Sequence, residues 1–528
     1  MALTLHVLPP GHRCPNQGDS VAYLEYDNWD DYGHKTLFSL TVFDEYGKQH
    51  EIGNVKITFF GQEYGKTIER IPDDVRKSLP EEFYSLGQDA DYYQNLVEKL
   101  SRENREFLLA ALGDVVFNEV KLHAAFDERA FRTSLLRNVS KSSIEQQFAR
   151  ILRGEAPLTE YDFFYERAEG EQYSGIKVEF SVDPNTKPSS NIHILIGRNG
   201  VGKTTLLNKM VDALIPGRGT VEETGRFATN TGWGDAFDLE ENYFAGVVSV
   251  SFSAFDPFKP PRDQLDANAG MKFSYVGLKK RLMLEGKEVW VQKDDEGLCE
   301  DLVRSLNTCF SLVAKRDRWI SAVKTLESDH NFAEMDLCNL VNIYEKDMPG
   351  GNHYFSNVVS SLFSRMSSGH GIVLLTITKL IETVEEKTLI LLDEPESHLH
   401  PPLLSAFTRA LSDLLVNRNG VAIVATHSPV VLQEVPKSCV SIIRRTRLNA
   451  IVDRPEIETF AENVGVLTRE VFGLEVSKSG FHKLLATSVA TGKSYEEIEL
   501  EYHHRLGFEG RTILRSMITV RDSQGGHE

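Results

Sequence analysis

Apolar and polar positions follow four successive patterns along the chain of 528 residues. Residues 1–70 alternate apolar and polar side chains, which predicts strands, whereas residues 71–159 show the spacing of helices with charged outer faces. Over residues 160–440 short apolar runs alternate with helical patterns, and residues 441–528 contain further helical segments. The patterns therefore predict an α/β protein with a strand-rich and a helical region ahead of its main domain.

Short apolar runs within residues 160–440 predict the strands of the main sheet. They read IKVEFSV, NIHILI, GVVSVSF, TLILL and VAIVA. Runs without charge are typical of strands that are covered on both faces, so we predict a largely parallel sheet. Between about residues 260 and 350 a charged stretch with few motifs predicts a helical insertion. We expect residues 441–528 to serve partner binding or assembly.

Composition and charge limit the classes of partner. The net charge is −19, whereas a protein that holds nucleic acid with its whole surface would be basic. A local patch, Arg444-Arg445-Thr446-Arg447, is either a solvated cluster or a contact with phosphates. Five scattered cysteines without a CxxC predict reduced thiols rather than a zinc site. No apolar run is long enough to cross a bilayer, so we expect a cytoplasmic protein.

A glycine-rich loop follows the run NIHILI and precedes a helical pattern. Its eight residues match G-x-x-x-x-G-K-[ST] in full, and they are Gly197, Arg198, Asn199, Gly200, Val201, Gly202, Lys203 and Thr204. Such a loop wraps backbone N–H groups around a phosphate at the start of a helix. We predict that Lys203 reaches the β- and γ-phosphates, that the Thr204 hydroxyl binds Mg²⁺, and that Thr205 joins the site. The loop therefore predicts binding of ATP with Mg²⁺.

An acidic pair closes the run TLILL. Asp393 lies at the carboxyl end of this predicted strand, where ligands of open α/β sheets bind. We predict that Asp393 holds Mg²⁺ through water and that Glu394 orients the attacking water, because phosphoryl transfer depends chiefly on positioning. The pair therefore predicts hydrolysis of the bound ATP.

Two further motifs flank the acidic strand. Ser367, Ser368 and Gly369 precede a helical pattern, where small residues expose N–H groups that can bind phosphate. Taken alone, this stretch favours a helix N-cap, and its place between two strong motifs favours the phosphate-binding role. His427 follows the run VAIVA, and although a lone histidine is usually structural, its place after the acidic pair favours a role at the nucleotide.

The order of these motifs resembles that of ABC-, SMC- and RecF-type ATPases over about residues 160–440. The resemblance implies an ABC-type head that meets a second copy head to head, so that each ATP site is completed by the other chain. It further implies that Ser367, Ser368 and Gly369 bind the γ-phosphate held by the other copy. His427 is then the histidine that contacts the γ-phosphate and the attacking water.

By this resemblance, residues 366–370 correspond to the signature motif of the family, and they depart from its pattern at two positions. Ser368 stands where the family has glycine, and His370 stands where it has glutamine. By the same resemblance, residues 397–400 form the D-loop that crosses the seam between the two heads.

Two other family elements are weak in this sequence. A glutamine should end the run GVVSVSF, but Ser251, Ser253 and Asp256 stand there and Gln264 follows later. Tyr173 is a candidate for the aromatic residue that stacks on adenine, although its sequence context favours a core tyrosine.

The resemblance extends to a narrower family through SVSFSAFDPF and RPEIETFAENVGVLTREVFGLEVSKSGFHKLL. These stretches look like the PtuA-type ATPases of Septu antiphage systems, above all the retron-associated versions. That resemblance implies dimers that assemble further and control an HNH nuclease subunit, in retrons together with a reverse transcriptase and its RNA–DNA hybrid. The chain shows no H-N-H cluster, and no D-x-D follows His427, so the nuclease would be another chain.

Two alternatives compete with a nuclease-controlling defence ATPase. One is a RecF- or SMC-like DNA-repair ATPase that binds DNA directly, although the predicted insertion is too short and irregular for a long coiled-coil arm. The other is the nucleotide-binding subunit of a transporter, against which the missing glutamine and the stretch DEPESHLHP count. The sequence favours the defence ATPase and leaves direct DNA binding open.

Overall fold

The computed structural model describes residues 3–525 apart from 73–74, 76, 142, 155–157, 171–174, 185, 231–235, 241–242, 254–257, 265–270, 285–286, 348–353, 447–448 and 474–479. Tyr173, Asp256 and Arg447, for which the sequence suggested roles, lie outside the described residues.

The strands are β1 (Thr4–Val7), β2 (Val21–Tyr26), β3 (His34–Lys35), β4 (Leu37–Phe43), β5 (Gln49–Phe59), β6 (Gly65–Lys66), β7 (Phe83–Gly87), β8 (Tyr161–Arg167), β9 (Ile176–Val182), β10 (Ile192–Ile196), β11 (Arg226–Asn230), β12 (Ala236–Asp238), β13 (Gly246–Ser251), β14 (Lys272–Gly277), β15 (Lys279–Leu284), β16 (Lys287–Gln292), β17 (Thr388–Asp393), β18 (Val421–Thr426), β19 (Val440–Thr446) and β20 (Asn449–Asp453). The helices are α1 (Ala90–Lys99), α2 (Arg102–Leu112), α3 (Glu119–Ala125), α4 (Ala149–Arg153), α5 (Lys203–Leu214), α6 (Val221–Thr224), α7 (Asp295–Ser311), α8 (Val313–Leu326), α9 (His330–Glu334), α10 (Asn339–Asp347), α11 (Tyr354–Phe363), α12 (Ser368–Thr383), α13 (Pro401–Arg418), α14 (Val464–Phe472), α15 (Gly480–Ala490), α16 (Tyr495–Glu501) and α17 (Phe508–Gly525). Single turns of 3₁₀ helix lie at Thr67–Arg70, Pro395–His398, Val431–Glu434 and Lys437–Cys439, and π-helical turns at Phe131–Leu135 and Ser143–Phe148.

The N-terminal sheet has the strand order β1-β2-β4-β5-β7. Its strands and the helices α1 to α4 enclose one hydrophobic core that runs from Leu3 to Ile151, so the predicted strand-rich and helical regions pack together. Within the stretch predicted as helical, β7 is a strand. All five of its residues are buried between β5 and the helices, and a run this short shows no helical spacing.

The central sheet confirms the predicted mostly parallel α/β fold. Its order is β14-β13-β17-β18-β10-β19-β20, and every pairing from β14 to β19 is parallel, with β20 antiparallel at one edge. Both faces of the sheet are covered, and successive side chains of each strand point to opposite faces. In β17, Ile390 and Leu392 pack against the helices α7, α8, α12 and α13, whereas Leu389 and Leu391 pack on the side of α5 and a smaller sheet.

That smaller sheet corrects one predicted strand. The run IKVEFSV, which is β9, lies in the antiparallel sheet β12-β11-β8-β9 rather than in the central one. Charged Lys177 and Glu179 alternate with buried Val178 and Phe180, as expected for a strand with one face in water.

The stretch predicted as a helical insertion begins with strands. β14 joins the edge of the central sheet, and β15 and β16 form an antiparallel pair. The helices α7 to α11 follow and cover one face of the central sheet. Trp319 of α8 is fully buried there, and its indole N–H donates to the Thr378 hydroxyl of α12 at 2.9 Å.

Buried ion pairs attach the N-terminal region to the central domain. Asp89, at the start of α1, lies 2.5 Å from Arg318 of α8 and 2.9 Å from Arg418 of α13, and Arg150 lies 2.8 Å from Glu386. At the other end of the chain, α15 to α17 pack around a small core of their own. None of the helices in the described part of the chain combines the length and the apolar character needed to cross a membrane.

Candidate nucleotide-binding site

The phosphate loop connects β10 to α5, as the sequence predicted from its motif. Two of its glycines are required by the backbone. Gly202 has a φ of +97°, which side chains disfavour, and a Cβ on Gly197 would lie 2.4 Å from the carbonyl oxygen of Ile443 in β19. Arg198, Asn199 and Gly200 at the loop tip are exposed. The loop therefore forms an open concave backbone at the N-terminus of a twelve-residue helix.

Lys203 lies under this loop. Its Nζ donates to the carbonyl oxygens of Gly197 and Arg198, at 2.9 and 3.1 Å. Burial lowers the pKa of Lys203, although Glu394, Glu396 and Asp393 oppose this shift. The ammonium group is thus held at the floor of the cradle, where a phosphate could replace the two carbonyl oxygens as its acceptor.

Thr204 and Asp393 form a pair of oxygen donors beside the loop. The Thr204 hydroxyl donates to Asp393 Oδ1 at 3.1 Å, which joins the first turn of α5 to the end of β17. Adjacent ligands of an octahedral Mg²⁺, each at about 2.1 Å, lie about 3 Å apart. The donor set and its spacing therefore fit Mg²⁺, and the glycine cradle next to it fits a phosphate.

Glu394 and His427 lie at the ends of neighbouring strands. Glu394 adopts a left-handed backbone with φ +45°, and its N–H donates to Ala425 of β18 at 2.8 Å. Its carboxylate is 30% exposed, and His427 Nδ1 lies 3.7 Å from Glu394 Oε1. Parallel strands place both residues at one edge of the sheet, beside Asp393. The structure thus brings these three residues and the phosphate loop together.

Glu396 belongs to the same cluster, and sequence reasoning missed it. Its Oε1 accepts hydrogen bonds from the Thr426 hydroxyl and from the His427 N–H, both at 2.6 Å, and lies 3.0 Å from His427 Nδ1. The side chain is only 7% exposed. The available signal was a second acid two residues after Glu394, but its contact with the next strand depends on the fold.

The signature stretch caps α12. Ser367 is the N-cap, with its Oγ 2.6 Å from His370 Nδ1 and 3.4 Å from the His370 N–H. Ser367 and Ser368 are exposed, whereas Gly369 and His370 are buried. Within the described residues, the side-chain hydrogen bonds of Ser367 run to His370 and not to the phosphate loop of its own chain.

The residues considered in place of the family glutamine separate into two groups. Ser251 ends β13 in register with Asp393, so it and the following Ser253 lie at the site edge of the sheet. Gln264 instead forms a backbone bridge with Phe273, which is in register with Val247 near the start of β13. Four residues of strand, about 13 Å, separate that level from Asp393. The backbone position of Gln264 is therefore at the opposite end of the strands.

A family model matches part of the site region. Residues 357–433 match the family described as "AAA domain, putative AbiEii toxin, Type IV TA system". The matched segment includes Ser367, Asp393, Glu394 and His427. The chain therefore contains an AAA-type P-loop ATPase domain.

One relative covers nearly the whole chain. Protein ea59 of Escherichia phage lambda is 44% identical over 530 residues, which span 98% of this chain and 99% of that protein.

Several solved structures match the chain at low similarity. The ADP conformation of MJ1267, an ATP-binding cassette of an ABC transporter, is 13% identical, with a TM-score of 0.29 over 60% of this chain and 98% of that one. UvrA2 from Deinococcus radiodurans is 14% identical, with a TM-score of 0.24 over 54% and 37% of the two chains. An SMC head bound to the C-terminal winged-helix domain of ScpA is 13% identical, with a TM-score of 0.26 over 56% and 97%. At these values the structures assign no role to any residue of this chain.

Proposed function

This chain belongs to the family of protein ea59 of Escherichia phage lambda, and on that premise we propose that it binds ATP with Mg²⁺ and hydrolyses it between two copies of itself. The observation that carries the proposal is the Thr204–Asp393 hydrogen bond beside the phosphate loop. It joins a phosphate cradle to a cation site at the strand edge that also holds Glu394 and His427. Such a combination is what phosphoryl transfer needs, because its catalysis is chiefly positioning and charge neutralisation.

Each residue of the cluster has a role in this proposal. Thr204 and Asp393 hold Mg²⁺, directly or through water, and the bound ion neutralises phosphate charge. Lys203 leaves the two loop carbonyls and donates to the β- and γ-phosphates. Glu394, which is partly exposed, accepts a hydrogen bond from the attacking water and so orients it. His427, which Glu396 holds in position, lies beside Glu394 and contacts the γ-phosphate and the attacking water.

The second copy supplies the remaining contacts in this proposal. Ser367 and Ser368 are exposed at the N-terminus of a sixteen-residue helix, whose free N–H groups favour an anion. A γ-phosphate held by another copy would meet these groups if the heads face each other. The exposed serines support this arrangement, together with the resemblance of the motif order to dimeric ATPase heads.

The test uses Glu394→Gln, which keeps the shape of the side chain and removes its charge. We expect ATP hydrolysis to fall on the order of 100-fold or more, because the water loses its charged acceptor. We also expect an ATP-bound dimer to accumulate, measured by analytical ultracentrifugation with and without ATP.

Lys203→Ala in the same background is the matched control, since it should abolish tight ATP binding and with it the dimer. Wild-type turnover in Glu394→Gln would contradict the proposed hydrolytic role. A Glu394→Gln protein that stays monomeric with and without ATP would contradict the proposal that two copies share the site.

For the cellular role, we propose a dimer that assembles further and controls an HNH nuclease subunit in antiphage defence. The resemblance of residues 160–528 to PtuA-type ATPases supports it, and the retron-associated versions add a reverse transcriptase and its RNA–DNA hybrid as candidate partners. Purification with the genomic neighbours, with and without ATP, tests the proposal, and co-elution of a small HNH protein is the expected result.

The competing function is a DNA-repair ATPase that binds DNA directly. The acidic net charge weighs against it, and Arg444 of the basic patch pairs with Asp453 at 2.5 Å. Tight, salt-sensitive binding of duplex DNA by the isolated chain would favour this alternative over the nuclease partner.

A further inference from the structure

Three helix N-termini meet at one buried carboxylate outside the nucleotide motifs. Asp329 caps α9, Ser367 caps α12 and His400 caps α13. Asp329 Oδ1 lies 3.1 Å from His370 Nε2, and Asp329 Oδ2 lies 3.1 Å from His400 Nε2. The carboxylate therefore joins the signature stretch to the end of the predicted D-loop, although it comes from the insertion and belongs to neither motif.

Hydrogen bonds determine which nitrogen of His400 carries the proton. Its Nδ1 accepts from the Leu403 N–H at 3.1 Å, so that nitrogen has no proton of its own. The proton of the ring is then on Nε2, where it donates to Asp329. The same reasoning weighs against a metal ion held by Asp329, His370 and His400, because a metal needs an unprotonated nitrogen at His400 Nε2.

His370 transmits this arrangement to Ser367. With His370 neutral and its Nε2–H donating to Asp329, its Nδ1 is an acceptor and takes the Ser367 hydroxyl proton across 2.6 Å. Ser367 then turns only lone pairs outward, which repel a phosphate. When Nδ1 also carries a proton, it donates to Ser367 Oγ, and the hydroxyl proton becomes free to point outward.

The surroundings of the His370 ring favour that change when a phosphate arrives. Among the described residues, the polar and aromatic neighbours of the ring are Asp329, Ser367 and the rings of His400 and Phe332. The centroids of these two rings lie 6.3 and 5.2 Å from that of His370. Asp329 is thus the one carboxylate against the ring. Its pKa is lowered despite its burial, because it accepts hydrogen bonds from His370 and from the backbone of α9. The negative charge of Asp329 therefore lies against the Nε2 side of the His370 ring.

We propose that Asp329 is a positioning residue that acts through His370, so that Ser367 donates its hydroxyl proton to the γ-phosphate held by a second copy. One proton is taken up from solvent at His370 Nδ1 as the phosphate approaches, which forms an N–H bond there, and no other covalent bond is made or broken. The idea rests on the proposed function, because it requires that two copies share the ATP.

The experiment uses Glu394→Gln as parent, since that variant should trap the ATP-bound dimer. Asp329→Asn keeps an oxygen to cap α9 and removes the charge, and His370→Gln keeps a donor for Ser367 but cannot ionise. We expect Asp329→Asn to raise the dissociation constant of the ATP-bound dimer about tenfold, the effect of losing one charge-assisted hydrogen bond. His370→Gln should leave that constant within about twofold of the parent, because its amide N–H supplies the donor to Ser367 without taking up a proton. The affinity of the monomer for a fluorescent ATP analogue should not change, because the phosphate loop is intact.

Two readouts separate this role from simple support of the fold. Asp329→Asn should not raise the dissociation constant of the dimer once His370→Gln is present, because Asp329 acts through the His370 ring. Calorimetry in buffers of different ionisation enthalpy should show proton uptake on dimer formation in the parent and not in His370→Gln. His330→Gln on the same helix is the matched control, since His330 is exposed and pairs only with Glu334 among the described residues.

Each outcome decides the proposal. A loss from Asp329→Asn that persists when His370→Gln is present, or a dimer of Asp329→Asn as tight as that of the parent, would overturn it. So would a stoichiometric Zn²⁺ ion in the purified protein that Asp329→Asn loses. If Asp329→Asn melts far below the parent, the calorimetry of His370→Gln still tests the proposal, because proton uptake that persists in this variant would overturn it. A parent that never dimerises with ATP refutes the proposed function instead, which distinguishes the two failures.

Discussion

Glu396 offers a direct test of how the loop that carries His427 is held. The Thr426 hydroxyl and the His427 N–H both donate to its buried Oε1. Glu396→Ala removes the acceptor of both donors and the contact with the imidazole ring. Glu396→Gln keeps a carbonyl oxygen at the same place and removes only the charge. The two substitutions therefore separate the loss of the acceptor from the loss of its charge.

The expected magnitudes follow from these contacts. A buried donor left without an acceptor costs about 1–3 kcal/mol. Glu396→Ala leaves two such donors and should therefore destabilise this conformation of the loop by about 2–6 kcal/mol. The loop can relax by moving His427, and a displacement of about 1 Å costs on the order of 100-fold in rate, or about 2.7 kcal/mol. Glu396→Gln exchanges two charge-assisted bonds for neutral ones, a loss of about 1–2 kcal/mol in total. We expect kcat to fall about 100-fold for alanine and about 5- to 30-fold for glutamine.

Steady-state phosphate release measures kcat, and a fluorescent ATP analogue measures affinity. Affinity should remain within about twofold of wild type, because Lys203 and the loop are unchanged. Glu458→Gln is the matched control, since Glu458 accepts the N–H groups of Lys437 and Thr459 at 2.7 and 2.9 Å away from the nucleotide motifs. Equal rates for Glu396→Ala and wild type, or a loss of affinity as large as the loss of kcat, would refute this account of the loop.

Two further predictions concern stability. Asp89→Asn keeps the cap of α1 but leaves buried Arg318 and Arg418 without their carboxylate, so we expect the free energy of unfolding to fall by about 3–5 kcal/mol in denaturant titrations; a loss below 1 kcal/mol, as for an exposed ion pair, would contradict it. Burial raises the pKa of Asp114 to about 7, even though the Tyr93 hydroxyl donates to it. The folded state therefore holds the proton more tightly, stability should fall as pH rises from about 4 to 7 and then level off, and Asp114→Asn should flatten that slope; an unchanged slope would show that other groups cause it.

The sequence alone determined those features that depend on neighbours along the chain. A phosphate loop is recognisable because its glycines, lysine and threonine are adjacent, and the acidic pair because it directly follows a charge-free strand. The alternation of buried strands and helices likewise predicted the mostly parallel sheet. Asp393, Glu394 and His427 could be placed at one edge, since parallel strands end on the same side.

Only the tertiary structure decided the contacts between residues far apart in sequence. Glu396 reaches the next strand over, and Asp329 lies 41 residues before His370, its partner at the start of α12. β7 is a strand because its neighbours bury both of its faces, and IKVEFSV joins the smaller sheet because one of its faces meets water. Periodicity reports which side of an element is buried but not what buries it. That choice depends on the packing of the whole chain.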